Sequence, residues 1–121
     1  MTCVGIDMIE IPRIKKCMKN KNFLKYILGE DEYRQLENRN FPAQSVAANF
    51  CVKEAFAKAV GKGMFYLGIK NIQALRDSFG RPYIKISGKA KEVADMTSLR
   101  FSVSITHTKE YASAVVVGYN S

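Results

Sequence analysis

The sequence predicts an α+β fold, with helices packed against a small, mostly antiparallel sheet. Three observations predict it. Phe101, Val103 and Ile105 alternate with Ser102, Ser104 and Thr106, the period of a strand with one apolar face. Tyr111 to Val117 returns as an almost wholly apolar run, which suits a central strand or one covered on both faces. Pro42 opens the longest helical pattern, which runs to Val60 with Val46, Phe50, Ala57 and Val60, and Phe56 nearby, as an apolar stripe.

The other elements follow in chain order. Cys3 to Ile9 is apolar and β-branched around Gly5 and Asp7, and reads as a strand. Pro12 suits the first turn of a helix that runs to about Asn20. A second helical patch covers Asn22 to Leu28, and Gly29 is expected to end it. Glu30 to Asn38 reads as a short polar helix. Gly61 and Gly63 stop the long helix. Ile69 to Arg76 and Tyr83 to Ser87 read as two strands joined by a turn at Asp77-Ser78-Phe79-Gly80. Lys89 to Met96 is a short helix with Ser87 or Gly88 near its cap. With no repeat, linker or low-complexity tract, residues 1–121 are expected to form one domain.

Hydrophobic residues make up 47% of the chain and charged residues 25%, enough for a core and unlike a disordered segment. The formal net charge of +8 points to anionic partners: phosphates, nucleic acid or an acidic protein. Cys3, Cys17 and Cys51 are odd in number and form no CxxC pair, so reduced thiols are expected rather than a zinc site or a disulfide framework. Asp7 and Glu10 interrupt the N-terminal apolar run, which argues against a signal peptide. No apolar stretch is long enough for a membrane span. The expectation is a soluble, cytoplasmic protein without a membrane partner.

Few residues could carry chemistry. Glu54 and Lys58 stand four apart on one face of the long helix. Taken alone, such a pair is a surface ion pair worth a few tenths of a kcal/mol. Here Phe50, Val52, Ala55, Phe56 and Ala57 surround it, so the helix is partly buried, and a buried charge needs a partner or a metal. Asp7 falls in a strand where apolar residues would be expected, next to a glycine that allows close backbone approach. Mg²⁺ is usually held by one or two carboxylates, with phosphates and waters in its other sites. Asp7 and Glu54 would suit that pattern. Gly61-Lys62-Gly63 is either a simple helix stop or a loop that meets phosphate. His107, the only histidine, stands at a strand end beside polar Ser102, Ser104 and Thr106, where it could bind phosphate or relay a proton. From Ile11 to Gly29 there is no acid, while Arg13, Lys15, Lys16, Lys19, Lys21 and Lys25 fall in this span with Met18, Phe23 and Leu24. A basic helix of that density suits an acidic protein surface.

Three segments together resemble a known family. They are Gly5-Ile6-Asp7 with Glu10 and Arg13, then Phe50-Cys51-Val52-Lys53-Glu54-Ala55-Phe56-Ala57-Lys58, then Ser102-Val103-Ser104-Ile105-Thr106-His107. In order and spacing they resemble the holo-[acyl-carrier-protein] synthases, the short bacterial type of 4′-phosphopantetheinyl transferase. The resemblance covers essentially the whole chain. It implies that fold, with one long and several short helices, and a place in fatty acid biosynthesis. It implies transfer of 4′-phosphopantetheine from coenzyme A to a serine of apo acyl carrier protein, releasing adenosine 3′,5′-bisphosphate.

By position, the resemblance implies that Asp7 and Glu54 bind Mg²⁺ at the coenzyme A pyrophosphate. Glu54, Lys58 and His107 would be the catalytic residues. Glu54 would take the serine proton, directly or through a water, and Lys58 would offset charge on the transferred phosphate or leaving group. Lys53 and Lys58 would belong to the coenzyme-binding set, and Thr106 with His107 would contact the phosphates. Gly61, Lys62 and Gly63 would line the nucleotide pocket, with Pro82 near the adenine. Arg13, Lys16, Met18, Lys21 and Phe23 would dock the acidic helix of the carrier protein. Family members often carry an arginine just before the motif's first aromatic residue, in reach of the coenzyme A 3′-phosphate. Asn49 stands there in this chain, which leaves Lys62 or Arg81 to supply the charge. The resemblance also implies a homotrimer with its active sites between subunits. The alternative is a small basic nucleic-acid-binding domain. That reading needs stacking aromatics among the basic residues, where only Phe23 and Tyr26 occur, and it leaves Asp7, Glu54 and His107 without a role. A protein that only holds coenzyme A is a third reading, opposed by the presence of both carboxylates.

Overall fold

The computed structural model describes residues 2–120. In chain order the elements are β1 (Thr2–Glu10), α1 (Ile11–Cys17), α2 (Phe23–Ile27), α3 (Glu30–Glu37), α4 (Ala43–Val60), α5 (Met64–Leu67), a 3₁₀ turn (Ile69–Asn71), β2 (Ile72–Arg76), β3 (Pro82–Ile86), α6 (Gly88–Thr97), β4 (Arg100–His107) and β5 (Tyr111–Tyr119). The strands form two antiparallel sheets where the sequence suggested one. The first has the order β1-β5-β4, and the second is the β2-β3 hairpin. The apolar strand β5 is central, as expected.

The long helix α4 is the core of the molecule. The expected apolar stripe is instead burial on nearly every side, from Ser45 to Ala57, while Phe50 and Val60 are only half-buried. The reason is that α4 has packing partners all round: the three-stranded sheet, β2 and α1. Small residues allow it. Ala47, Ala48, Ala55 and Ala57 are buried, and Val46, Val52 and Phe56 fill the gaps between them. Each of those three larger side chains contributes ~1.5–3 kcal/mol by leaving water. Gly5 sets the approach of β1, because a Cβ there would lie 1.8 Å from the Ala55 carbonyl oxygen.

The helix ends follow local chemistry. Gly61 adopts φ 72°, the left-handed conformation that closes a helix. α1 stops at Cys17 rather than near Asn20, since Lys19 and Asn20 turn back onto Lys16 and Cys17 in tighter bonds. Gly29 is not the end of α2. It is the N-cap of α3, pressed against Gln73 so closely that a Cβ would meet that side chain at 2.5 Å. Gln73 Oε1 accepts from the amides of Asp31 (2.9 Å) and Glu32 (3.0 Å), and so caps α3 across the chain. α5 is too short to leave a sequence pattern. The expected strand from Ile69 begins only at Ile72, because Gly68 at φ 85° and the Asn71 side chain on the Leu67 carbonyl bend the backbone first.

Candidate active site

Strand alternation aims Asp7 inward, between Gly5 and Ile9, onto the α4 side of the sheet. Glu54 and Lys58 rise from α4 one turn apart. The Lys58 ammonium donates to Asp7 Oδ1 at 3.3 Å and to the Ile6 carbonyl oxygen at 3.0 Å. Glu54 is half-buried and lacks that partner. Burial first, and the negative charge of Asp7 second, push its carboxyl above the ordinary glutamate range, with Lys58 opposing them. The two carboxylates expected to share a metal are therefore brought together, with Lys58 between charge and solvent. Cys51 sits beneath them and donates to the Ala112 carbonyl oxygen at 3.4 Å. Burial, then Asp7, push this thiol up to about 12, so it is inert packing at neutral pH. All three cysteines are free.

His107 belongs to the same inward face of the sheet but to another row. Asp7 pairs with Ala114, which pairs with Ile105, and His107 lies one inward position beyond, opposite Ala112. Standard strand spacings put the Asp7 and His107 backbones roughly 12 Å apart. His107 opens into a groove of about 500 Å³ shared with Pro82, Gly80, Arg39, Arg76 and Ser45. On its other side it meets a second groove with Lys15, Gln44 and Lys109. Pro82 and His107, named separately from the sequence, thus share one groove. Thr106 does not join them: its position opposite Ser113 is on the outer face of the sheet. Gly61, Lys62 and Gly63 lie past the far end of α4, exposed, with the Lys62 ammonium over the Tyr66 ring at 5.8 Å.

Lys53 corrects an expectation. Its side chain is fully enclosed, and its ammonium is held 2.5 Å from Glu32 Oε1 and also donates to the carbonyl oxygens of Ile69 and Ile72. It has no donor left for coenzyme A. Glu32, read from sequence as part of a short polar helix, is equally buried, and its Oε2 accepts from Asn49 and the Ala74 amide. Asn49 is therefore a buried strut rather than a ligand-facing residue. Arg81 is exposed on the hairpin turn, outside the lining of the His107 groove. The guanidiniums that do line it, Arg39 and Arg76, were not singled out from the sequence. No local motif marks them, since they meet only in the fold.

In the basic span, Arg13, Lys16 and Lys21 are exposed, while Met18 and Phe23 are half-buried against the core. The outer face of the three-stranded sheet is apolar along β1, where Val4, Ile6 and Met8 are 62%, 63% and 64% exposed. Val115 and Val117 lie opposite Ile6 and Val4.

Residues 3–116 match the model of the 4′-phosphopantetheinyl transferase superfamily. A holo-[acyl-carrier-protein] synthase of Chloroherpeton thalassium is 42% identical over 117 residues, covering 94% of each chain. The fold is shared with the holo-[acyl-carrier-protein] synthase structure from Neisseria meningitidis, at TM-score 0.89 and 27% identity over 98% of each chain. The Helicobacter pylori holo-[acyl-carrier-protein] synthase in complex with coenzyme A aligns at TM-score 0.82 and 32% identity, over 96% of this chain and 99% of that one. The nucleic-acid alternative gains no support from these matches.

Proposed function

The chain belongs to the 4′-phosphopantetheinyl transferase superfamily, and from that membership we propose how its residues divide the work. It is an enzyme that transfers 4′-phosphopantetheine from coenzyme A to a serine of apo acyl carrier protein, releasing adenosine 3′,5′-bisphosphate. In this reading the serine oxygen forms a bond to the phosphorus that carries pantetheine, and the bond from that phosphorus to the nucleotide breaks. Coenzyme A and the acyl carrier protein are its partners.

The reading of the site rests on one observation: Asp7 and Glu54 face each other's charge with a single lysine to offset them. Such a donor set fits Mg²⁺, whose remaining ligand positions fall to phosphates and water. When bound, the ion would neutralise pyrophosphate charge and align the attack. Glu54, with its carboxyl held up and partly exposed, takes the proton of the serine hydroxyl. Lys58 is 54% exposed at its side chain, free enough to leave Asp7 for a phosphate oxygen as negative charge moves to the leaving group. His107 and Pro82 receive the nucleotide end in their shared groove. Gly61 to Gly63, one turn past Lys58 on α4, line the nucleotide pocket in this reading, while Thr106 on the outer sheet face joins a coenzyme site only from a second copy.

That division suits a homotrimer with sites between subunits. The exposed apolar strip of Val4, Ile6 and Met8 beside Val115 and Val117 favours a second copy packed on the outer face. The exposed Arg13, Lys16 and Lys21 suit the acidic helix of the carrier protein. None of the described helices is long and apolar enough to cross a membrane, and a cytoplasmic location is part of the same proposal. Release of adenosine 3′,5′-bisphosphate tests the reading. It should require Mg²⁺ and a carrier whose acceptor serine is intact. Equal release with EDTA, or with a carrier bearing alanine at that serine, would contradict it.

A further inference from the structure

The groove beside His107 holds two guanidiniums and no carboxylate among its lining residues. Arg76 is half-buried at the end of β2. Its Nη2 donates to Asn49 Oδ1 and its Nη1 to the Leu75 carbonyl oxygen, both at a long 3.4 Å. Asn49 is itself fixed, since its amide donates to Glu32 Oε2 at 3.2 Å and to the Ala74 carbonyl oxygen at 3.1 Å. A buried strut therefore aims Arg76 at the groove. The Arg39 side chain has no hydrogen bond, and neither arginine has an ion-pair partner among the described residues. Asp77, the nearest acid in sequence, spends its Oδ1 on the amides of Phe79 and Arg81. Burial and then the charge of Arg39 disfavour the ionised form of Arg76, with the buried Glu32 carboxylate opposing them.

We propose that Arg39 and Arg76 clamp the 3′-phosphate of coenzyme A and set the preference of this enzyme for coenzyme A over its dephospho form. A phosphate monoester is close to a dianion at neutral pH and has three acceptor oxygens, which suit two planar guanidinium forks without a metal. The pyrophosphate is a poorer match, because its place is with Asp7 and Glu54. In coenzyme A the 3′-phosphate is one sugar away from the adenine, and Pro82 lines the same groove. The clamp rests on the coenzyme A reading above. It assigns to strand β2 and the segment after α3 the charge that Asn49 cannot supply, and that Lys62 and Arg81 stand outside the groove to supply.

The test is calorimetric titration with adenosine 3′,5′-bisphosphate and with adenosine 5′-monophosphate, beside KM values for coenzyme A and dephospho-coenzyme A. Wild type should bind the bisphosphate more tightly. Arg76→Gln and Arg39→Gln should each weaken bisphosphate binding on the order of tenfold and narrow its advantage over the monophosphate. Arg76→Lys, which keeps charge without the fork, should recover part. Arg34→Gln, an exposed arginine paired with Glu30 and Asp31, is the control that keeps the advantage. Arg39 is exposed, so its variant should fold, and its result stands even if Arg76→Gln does not. An advantage unchanged in Arg39→Gln and Arg76→Gln, or absent in wild type, would overturn the clamp and leave the transferase reading intact. Wild-type discrimination lost in the variants, with no transfer to any carrier, would uphold the clamp and sink the transferase reading instead.

Discussion

Lys58 reaches across the chain to Asp7, 51 residues away in sequence, with its ammonium 3.3 Å from the Asp7 carboxylate. It does not pair with Glu54, its neighbour one helical turn back, within ion-pair distance among the described residues. The contact joins α4 to β1 at the point where Gly5 lets them touch. It also leaves Glu54 as the less compensated of the two acids.

Lys58→Met should lower kcat by about 100–1000-fold, the scale of losing one donor aimed at a developing negative group. The change in KM for coenzyme A should be smaller. Steady-state rates over a coenzyme A series check this. A rise in KM with kcat untouched would reduce Lys58 to a binding residue.

Glu54 links stability to pH. Its carboxyl is held above the ordinary 4.5 by burial and by Asp7. A carboxyl raised in the folded state stabilises the fold below its unfolded pKa, and that contribution is lost as pH rises through the folded pKa. Ionised Glu54 therefore costs stability at neutral pH. In EDTA, Glu54→Gln should melt above wild type at pH 7, and the gap should close as pH falls below about 4.5. Mg²⁺ should raise the wild-type melting temperature more than that of the variant. Thermal melts with and without the ion decide it; a gap independent of pH would contradict the coupling.

The buried pair of Glu32 and Lys53 should matter for folding rather than for binding. Both side chains are fully enclosed. Lys53→Met leaves Glu32 without its ammonium and should cost ~3–5 kcal/mol in urea unfolding. Adding Glu32→Leu should recover part of the loss, because the unpaired charge is then gone. A double variant no more stable than Lys53→Met would show that the backbone bonds of Lys53, not the ion pair, dominate.

An assembly carried by the outer sheet face should break when charge is placed on it. Ile6→Glu with Val115→Glu should yield monomers by light scattering, with transfer activity lost. Mixing Glu54→Gln chains with His107→Ala chains should restore part of the activity if the two groups serve one site from different copies. No recovery from mixed chains that assemble normally would put both groups in one subunit.

Much of this was legible in the sequence where the signal is local. The alternation in β4, the glycine that closes α4 and the isolation of Asp7 in an apolar strand each carry their meaning within a few residues. The isolation of Asp7 and Glu54 suggested a shared metal, but only the resemblance made that pairing specific, because no spacing joins residues so far apart. What stayed hidden was non-local satisfaction of polar groups. In sequence Glu32 belongs to a short polar helix and Lys53 to the coenzyme-binding set, yet each finds the other only when α3 and α4 pack against β2. Gln73 capping α3 and Arg39 meeting Arg76 are hidden for the same reason. Thr106 and His107 are neighbours in sequence but face opposite sides of the sheet, which a motif read as a unit conceals.

The central claim is that Asp7 and Glu54 hold the Mg²⁺ on which transfer depends. Intact-protein mass spectrometry of apo acyl carrier protein, after incubation with coenzyme A, Mg²⁺ and either wild type or Glu54→Gln, tests it most directly. Wild type should add one phosphopantetheine to the carrier, and both Glu54→Gln and EDTA should abolish that gain. A carrier protein modified as fast by Glu54→Gln as by wild type would contradict it.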